Sequence, residues 1–185
     1  MRPARRRAGD WERSEKSRGV ERAALVGAWL IGLVAAAAAG AGTLRLDVPV
    51  NAPVEEVWSA VRDFQAVHRR LAQGFVVDTE PVAGAAVETR RVTFANGAVA
   101  EEVLLGLDEG LRRLAYSSIR GRALHHAASM EVVPAPEGSR IVWTTDVLPD
   151  DLVPGIRAMM EQGAAAMQRT LVAEQDAAAG EGQGR

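Results

Sequence analysis

TLRLDVPVNAPVEEVWSAVRDF, residues 43–64, changes its hydrophobic period once, and that change frames the rest of the chain. Leu44, Leu46, Val48 and Val50 alternate with Thr43, Arg45, Asp47 and Pro49, the period of two of a half-buried strand. Pro49 lacks an amide hydrogen for a ladder bond, which puts this strand at a sheet edge. After Asn51-Ala52-Pro53 the spacing becomes helical: Val54, Val57, Trp58, Val61 and Phe64 share one face. Asn51 is a candidate cap, Pro53 suits a first helical turn, and Glu55 and Glu56 lie near the positive end of the helix dipole. A second short helix through Val67 and Leu71 is expected to end at Gly74.

Downstream, six strand-like runs follow with turn residues between them: 75–82, 86–94, 98–107, 112–119, 124–133 and 140–147. Asn96-Gly97 reads as a two-residue type I′ hairpin, in which both central residues need positive φ. Asp108-Glu109-Gly110 and Pro134-Ala135-Pro136-Glu137-Gly138 punctuate the later hairpins. A long helix then opens at Asp150 or Asp151, with Leu152, Ile156, Met159, Gly163, Met167 and Leu171 on one face. After Asp176 the Ala/Gly/Gln-rich tail, 177–185, is expected to fray. The order predicts an α+β domain over 43–176. A curved seven-stranded antiparallel sheet wraps around the long C-terminal helix, and two short helices follow strand 1. The covering face of that helix is rich in Met and small residues, which favours an interior cavity over a tight core.

Ahead of this domain the 185-residue chain carries a different kind of sequence. Residues 1–22 hold seven Arg and one Lys against Asp10, Glu12, Glu15 and Glu21, a net +4, and the whole-chain charge of −2 therefore leaves −6 for the remainder. An acidic body disfavours nucleic acid as a partner. Residues 23–42 form an uncharged run whose strongly apolar heart, Leu25 to Val34, fades into alanine. With a basic flank and Ala39-Gly40-Ala41 as a small-x-small site, the run reads as a signal peptide or, uncut, a single transmembrane anchor. Residues 1–22 are then a structureless basic segment. A later translation start near Val20 and a buried Ala-rich helix are the alternatives. On the leader reading the protein is exported or anchored at the cell envelope, and touches a membrane through its N-terminal segment if uncleaved. If the leader is an artefact, the protein is cytoplasmic.

The globular part resembles the START-like helix-grip superfamily, specifically the bacterial SRPBCC proteins grouped as polyketide cyclase/dehydrase and lipid-transport-like. The likeness rests on Val48 to Trp58 with Val61-Arg62-Asp63-Phe64, on Arg90 through Asn96-Gly97 to Glu102, and on Leu107-Asp108. Leu114-Ala115-Tyr116-Ser117 and Val142-Trp143-Thr144 complete it. It spans roughly residues 43–175. One departure stands out: many relatives place Trp and Pro near the start of the second short helix, where this chain has His68-Arg69-Arg70-Leu71-Ala72. The scaffold serves many unrelated ligands, so function has to be argued from the site.

With no cysteine, thiolate nucleophiles, disulfides and Cys-ligated metals are excluded, and no phosphate loop, nucleophile motif or His-rich metal spacing is present. No cofactor or metal is expected. His125 and His126 are neighbours in a strand and point to opposite faces, so they cannot chelate one ion together. Alternation puts His126 inward with Ala128, Met130 and Val132, Tyr116 with Leu114 and Ser118, and Trp143 with Ile141 and Thr145. A two-residue turn would set Arg91 opposite Glu102 and turn Arg90, Val92, Phe94, Val99, Glu101 and Val103 inward. The resemblance instead implies that Arg90 and Glu102 share a face through a bulge, and that is the arrangement favoured here.

Candidate ligand-binding residues are thus Trp58, Arg90, Phe94, Glu102, Tyr116, His126, Met130, Trp143, Met159 and Met167; His126, Tyr116 and Arg90 are also the candidates for proton transfer. The leading expectation is a binder of a small hydrophobic ligand, lipid-like or polycyclic, at the envelope. A cyclase or aromatase folding a poly-β-ketone is the second, and a ligand-free structural module of an envelope complex the third.

Overall fold

The structure, a computed structural model, describes residues 40–182. The basic segment 1–22, the leader up to residue 39 and residues 183–185 fall outside the described residues. Seven antiparallel strands form one curved sheet in the order β1-β7-β6-β5-β4-β3-β2. They are β1 (Gly42–Val50), β2 (Val76–Pro81), β3 (Thr89–Phe94), β4 (Val99–Asp108), β5 (Arg113–Ser118), β6 (His125–Ala135) and β7 (Gly138–Leu148). Helix α1 (Val54–Val61) follows β1, and helix α2 (Val153–Gly182) closes the chain. Among the described residues no helix is long and apolar enough to cross a membrane.

The alternation read from the sequence carries straight into the sheet. Leu44, Val48 and Val50 are buried while Arg45 and Asp47 are not, and β1 is an edge strand, as Pro49 requires. Its free edge is used: the Pro49 carbonyl accepts a 2.9 Å bond from Gln168 Nε2 of α2. Farther along the same helix, Thr170 Oγ1 accepts from the Gln73 amide (3.0 Å) and donates to Ala166 O (2.9 Å). These polar contacts fix the lengthwise position of a helix whose buried face, Met160, Ala164, Ala166, Met167 and Leu171, is too small and soft to do so alone.

The helical connection after β1 departs from expectation. Pro53, not Asn51, precedes α1, and no side chain caps the helix. The α-helix stops at Val61, and the apolar residues beyond it sit in a 3₁₀ turn (Phe64–Ala66) followed by a π-helical turn (Val67–Leu71). Phe64, Val67 and Leu71 are nonetheless buried, because the tightened and widened turns keep them facing the sheet. Arg70 ties the segment back to α1: Nη1 donates to Ser59 O at 2.8 Å, and Nη2 lies 3.0 Å from Ser59 Oγ. At the other end of the chain, Asp150 and Asp151 lie in a 3₁₀ turn (Asp150–Leu152) before α2 rather than at its cap. The α2 backbone continues to Gly182.

The β3–β4 hairpin departs from the two-residue type I′ turn and takes the arrangement favoured from the resemblance instead. Arg90 pairs with Glu102, Arg91 with Glu101 and Thr93 with Val99, one residue off the register of a two-residue turn. Phe94 N donates to Ala98 O (2.9 Å), so the loop has three residues, and only Gly97 has positive φ (81°). Asn96 stays at negative φ, and its Oδ1 accepts from the Ala98 amide at 3.0 Å. This is the three-residue hairpin with glycine in the left-handed position, and it supplies the bulge that brings Arg90 and Glu102 to one face. Val99, read as inward for the two-residue turn, is consequently exposed.

Candidate functional site

Between the inner face of the sheet and α2 lies a cavity of about 80 Å³. One water needs room of only about 10–15 Å³ for its centre to move, so the space is more than a packing defect. Strands β3 to β7 supply one wall. From it come Arg90, Val92, Phe94, Glu102, Tyr116, His126, Met130, Trp143 and Thr145. Helix α2 supplies the opposite wall with Ile156, Met159, Met160 and Met167, the segment after α1 contributes Val67, Ala72 and Phe75, and β2 adds its first residue, Val76. Gly163 lets the two walls approach: a Cβ there would lie 3.1 Å from both Trp143 Cζ3 and Phe75 Cε1.

Arg90 and Glu102 form one buried pair, each only 7% exposed. Arg90 Nε and Nη2 donate to the same carboxylate oxygen, Glu102 Oε2, at 2.8 and 2.6 Å. Nη1 donates to the Phe64 carbonyl, and the guanidinium lies 4.0 Å from the Phe64 ring centroid and 5.6 Å from that of Tyr116. The charge of Arg90 is therefore fully engaged by one carboxylate, one carbonyl and two rings. Such a pair fixes register and holds the helical connection to the sheet; it leaves no free cation for an anionic ligand.

Three polar atoms elsewhere in the lining have no protein partner: His126 Nδ1, Trp143 Nε1 and Thr145 Oγ1. Trp143 and Thr145 are two residues apart on β7 and share its inner face, while Met130 and Ala128 stand opposite them on β6. Tyr116 completes this wall with its ring centroid 6.4 Å from that of His126. Burial, with help from the Glu102 carboxylate, pushes the Tyr116 hydroxyl well above its ordinary value against the opposing pull of Arg90 and of the nearby Trp143 indole. Burial likewise lowers the His126 pKa, and the nearby Glu102 charge only partly restores it. At neutral pH the wall thus presents a neutral phenol, a neutral imidazole, an indole N–H and a hydroxyl beside an internally matched ion pair.

Nine of the ten residues proposed from the sequence line this cavity; Trp58 does not. It is buried in α1 and donates from Nε1 to Glu109 Oε2 (2.7 Å) in the β4–β5 turn, where Glu109 also meets Arg62 at 2.6 Å. The face of α1 is apolar and buried, as its spacing predicts, but it packs against β6, β7 and the β4–β5 turn, and none of its residues lines the cavity. His125 is exposed and His126 faces in, on opposite sides of β6 as alternation requires. Phe75, Val67 and Ala72 were not singled out as lining residues, because the irregular turns that carry them have no fixed period. Met160 was missed because the chosen helical face passes through Met159, whereas both methionines reach the cavity.

Solved structures with this fold include an uncharacterised protein of Bacillus thuringiensis: TM-score 0.60, 15% identity, covering 72% of this chain and 99% of that one. The XoxI protein of Bacillus cereus matches with TM-score 0.60 and 15% identity over 72% of this chain and 96% of its own. A point mutant of Thalictrum flavum norcoclaurine synthase, in complex with a transition-state analogue, matches with TM-score 0.56 and 17% identity, covering 74% and 97%. At these identities the likeness is one of fold. No curated protein matches the chain. The family model described as polyketide cyclase / dehydrase and lipid transport matches residues 41–175, and with the seven-stranded sheet gripping α2 this places the chain in that family.

Proposed function

We propose that this protein binds a small hydrophobic ligand, lipid-like or polycyclic, in the cavity between the sheet and α2, and that it does so at the cell envelope. The observation that carries the reading is the lining itself: four methionines, Phe94, Trp143 and Tyr116 around an interior space, with every charge in it matched. A space of about 80 Å³ is tight for such a body. The unbranched methionine side chains of α2 can repack around a guest at little cost, which a lining of branched residues could not do. The envelope location rests on the basic and apolar N-terminal sequence. Native mass spectrometry of the full chain purified from its own host, followed by lipid extraction, tests the binding reading. A co-purifying apolar molecule is expected; a cavity that stays empty and refuses added lipid overturns it. Cell fractionation tests the location, and recovery of the full-length chain solely in the soluble cytoplasmic fraction would exclude it.

A cyclase or aromatase-type activity is the second reading, favoured by one observation: His126 is a neutral base facing the same space as Tyr116 and Glu102. Loss of a measured cyclisation in His126→Ala, with the fold intact, would support it.

A further inference from the structure

The unpaired atoms of the lining say more about the guest than its hydrophobicity does. Thr145 is 1% exposed and Trp143 8%; Thr145 Oγ1 has no protein partner, and Trp143 Nε1 has none at hydrogen-bonding distance and angle, although the indole lies near enough to the Tyr116 hydroxyl to favour its ionised form slightly. Leaving a buried polar group without a hydrogen bond is costly, so their joint placement in one cavity wall calls for a complement. An indole N–H can only donate, so that complement must accept. The hydroxyl two residues along the same face can donate to the same region, and a carbonyl oxygen, with two lone pairs, can take both. The alanine opposite Thr145, Ala128, has no side-chain polar atom to compete.

Charge narrows the choice further. Among the lining residues the only cation is Arg90 and the only carboxylate Glu102, and each is spent on the other. An anionic guest would find no free counter-charge, and a cationic one would have to take Glu102 from Arg90. His126 and Tyr116 are held neutral by burial. Opposite β7, the α2 wall of Ile156, Met159, Met160 and Met167 offers no hydrogen-bonding complement beyond weak thioether acceptors.

We propose that the cavity takes an uncharged, mainly apolar molecule through a single carbonyl-type oxygen, held by the Trp143 indole N–H and the Thr145 hydroxyl, with its apolar body against the methionines of α2. The proposal rests on the binding reading above and adds the chemical class of the guest and its orientation.

Three probes of near-equal size separate the terms: acetophenone carries the oxygen, ethylbenzene lacks it, and benzoate adds a charge. Calorimetric or NMR titration of the full chain should give acetophenone about tenfold tighter binding than ethylbenzene, the scale of one well-made buried hydrogen bond, with benzoate weaker than acetophenone. In Thr145→Val, which keeps the side-chain shape, and in Trp143→Phe the ketone-to-hydrocarbon ratio should fall toward one. Equal affinity for ketone and hydrocarbon in the unmodified protein overturns the proposal while leaving the binding reading intact. So does tightest binding of benzoate, or a ketone preference that survives both substitutions. Failure of all three probes to bind overturns both.

Discussion

Arg90 and Glu102 show how much a single pair is asked to hold. Desolvating two charges is expensive, and the attraction between them offsets that cost only while both are present. Glu102→Gln leaves a buried guanidinium with one carbonyl and two rings for company, and should destabilise the fold by about 3 kcal/mol in urea denaturation. The double variant Arg90→Met/Glu102→Leu should recover most of that loss, because no uncompensated charge remains. A double variant as unstable as the single one would show that the Phe64 carbonyl contact, rather than the charge balance, holds the segment after α1. His126 gives the pH counterpart. Its folded pKa is lowered, first by burial, with His125 adding repulsion and Glu102 opposing. As the pH falls below about 6.5 the unfolded chain takes up a proton that the folded chain resists. The stability this group contributes is therefore complete above that pH and is lost as the pH falls toward the folded value. Comparing urea midpoints at pH 7.5 and 5.5, His126→Phe should lose less stability on acidification than the unmodified protein. An equal loss in both would mean that the imidazole is hydrated and titrates normally.

At the scale of elements, the strands were legible because a half-buried sheet imposes a period of two on the side chains, and their bounds match the sequence reading to within a few residues. Register was not legible from that period, because it is set by how many residues the turn contains, and only the family resemblance favoured the right one. Asn96-Gly97 is compatible with both a two-residue and a three-residue loop, and only the second brings Arg90 and Glu102 together. The connection after β1 was read as two regular helices. A run of buried residues at helical spacing does not reveal that its turns tighten to 3₁₀ and then widen to π. Nor could it show that Trp58 on α1 packs away from the cavity, since apolar periodicity marks a buried face and not what that face meets. Two glycines carry element-scale predictions. Gly138, at φ 101°, pairs with Ala135 where β6 turns into β7, and a Cβ there would lie 2.7 Å from Val50 O and from Ala52 N. Gly138→Ala should cost about 3 kcal/mol by denaturant titration, from the left-handed backbone together with the approach to the β1–α1 junction. Gly163→Ala is a different case. Helix propensity favours alanine by about 1 kcal/mol. The new methyl, however, meets Phe75 and Trp143 at 3.1 Å and must displace cavity-lining rings. Stability should change little while affinity for apolar probes falls; unchanged affinity would mean that α2 shifts as a body to accommodate the methyl.

Across the whole molecule the chain's two ends of the fold are knitted together: β1 pairs with β7 along its full length, and α2 is hydrogen-bonded to β1 through Gln168. Cooperativity of that kind makes the interior answer as a unit, so a local deficit in the cavity is felt in global stability. Alternation along β7 was enough to turn Trp143 and Thr145 inward from the sequence. That their polar atoms lack partners was not legible, because alternation assigns a face and not a bond. Sites built to receive a ligand are commonly kept at some cost to the empty protein, and here the cost is specific: a buried hydroxyl and a buried indole N–H left for something else to satisfy. Thr145→Val removes the hydroxyl without changing the side-chain shape, so it should stabilise the ligand-free protein by about 1 kcal/mol while weakening its grip on a carbonyl-bearing probe. Ser139 supplies the comparison. Its hydroxyl is also buried and unpaired, but it lies at the far end of β7, outside the cavity lining. Ser139→Ala should therefore move stability in the same direction and leave probe affinity untouched. If Thr145→Val instead destabilises the free protein, the hydroxyl is already satisfied by internal water, and ligand binding must displace that water rather than fill a vacancy.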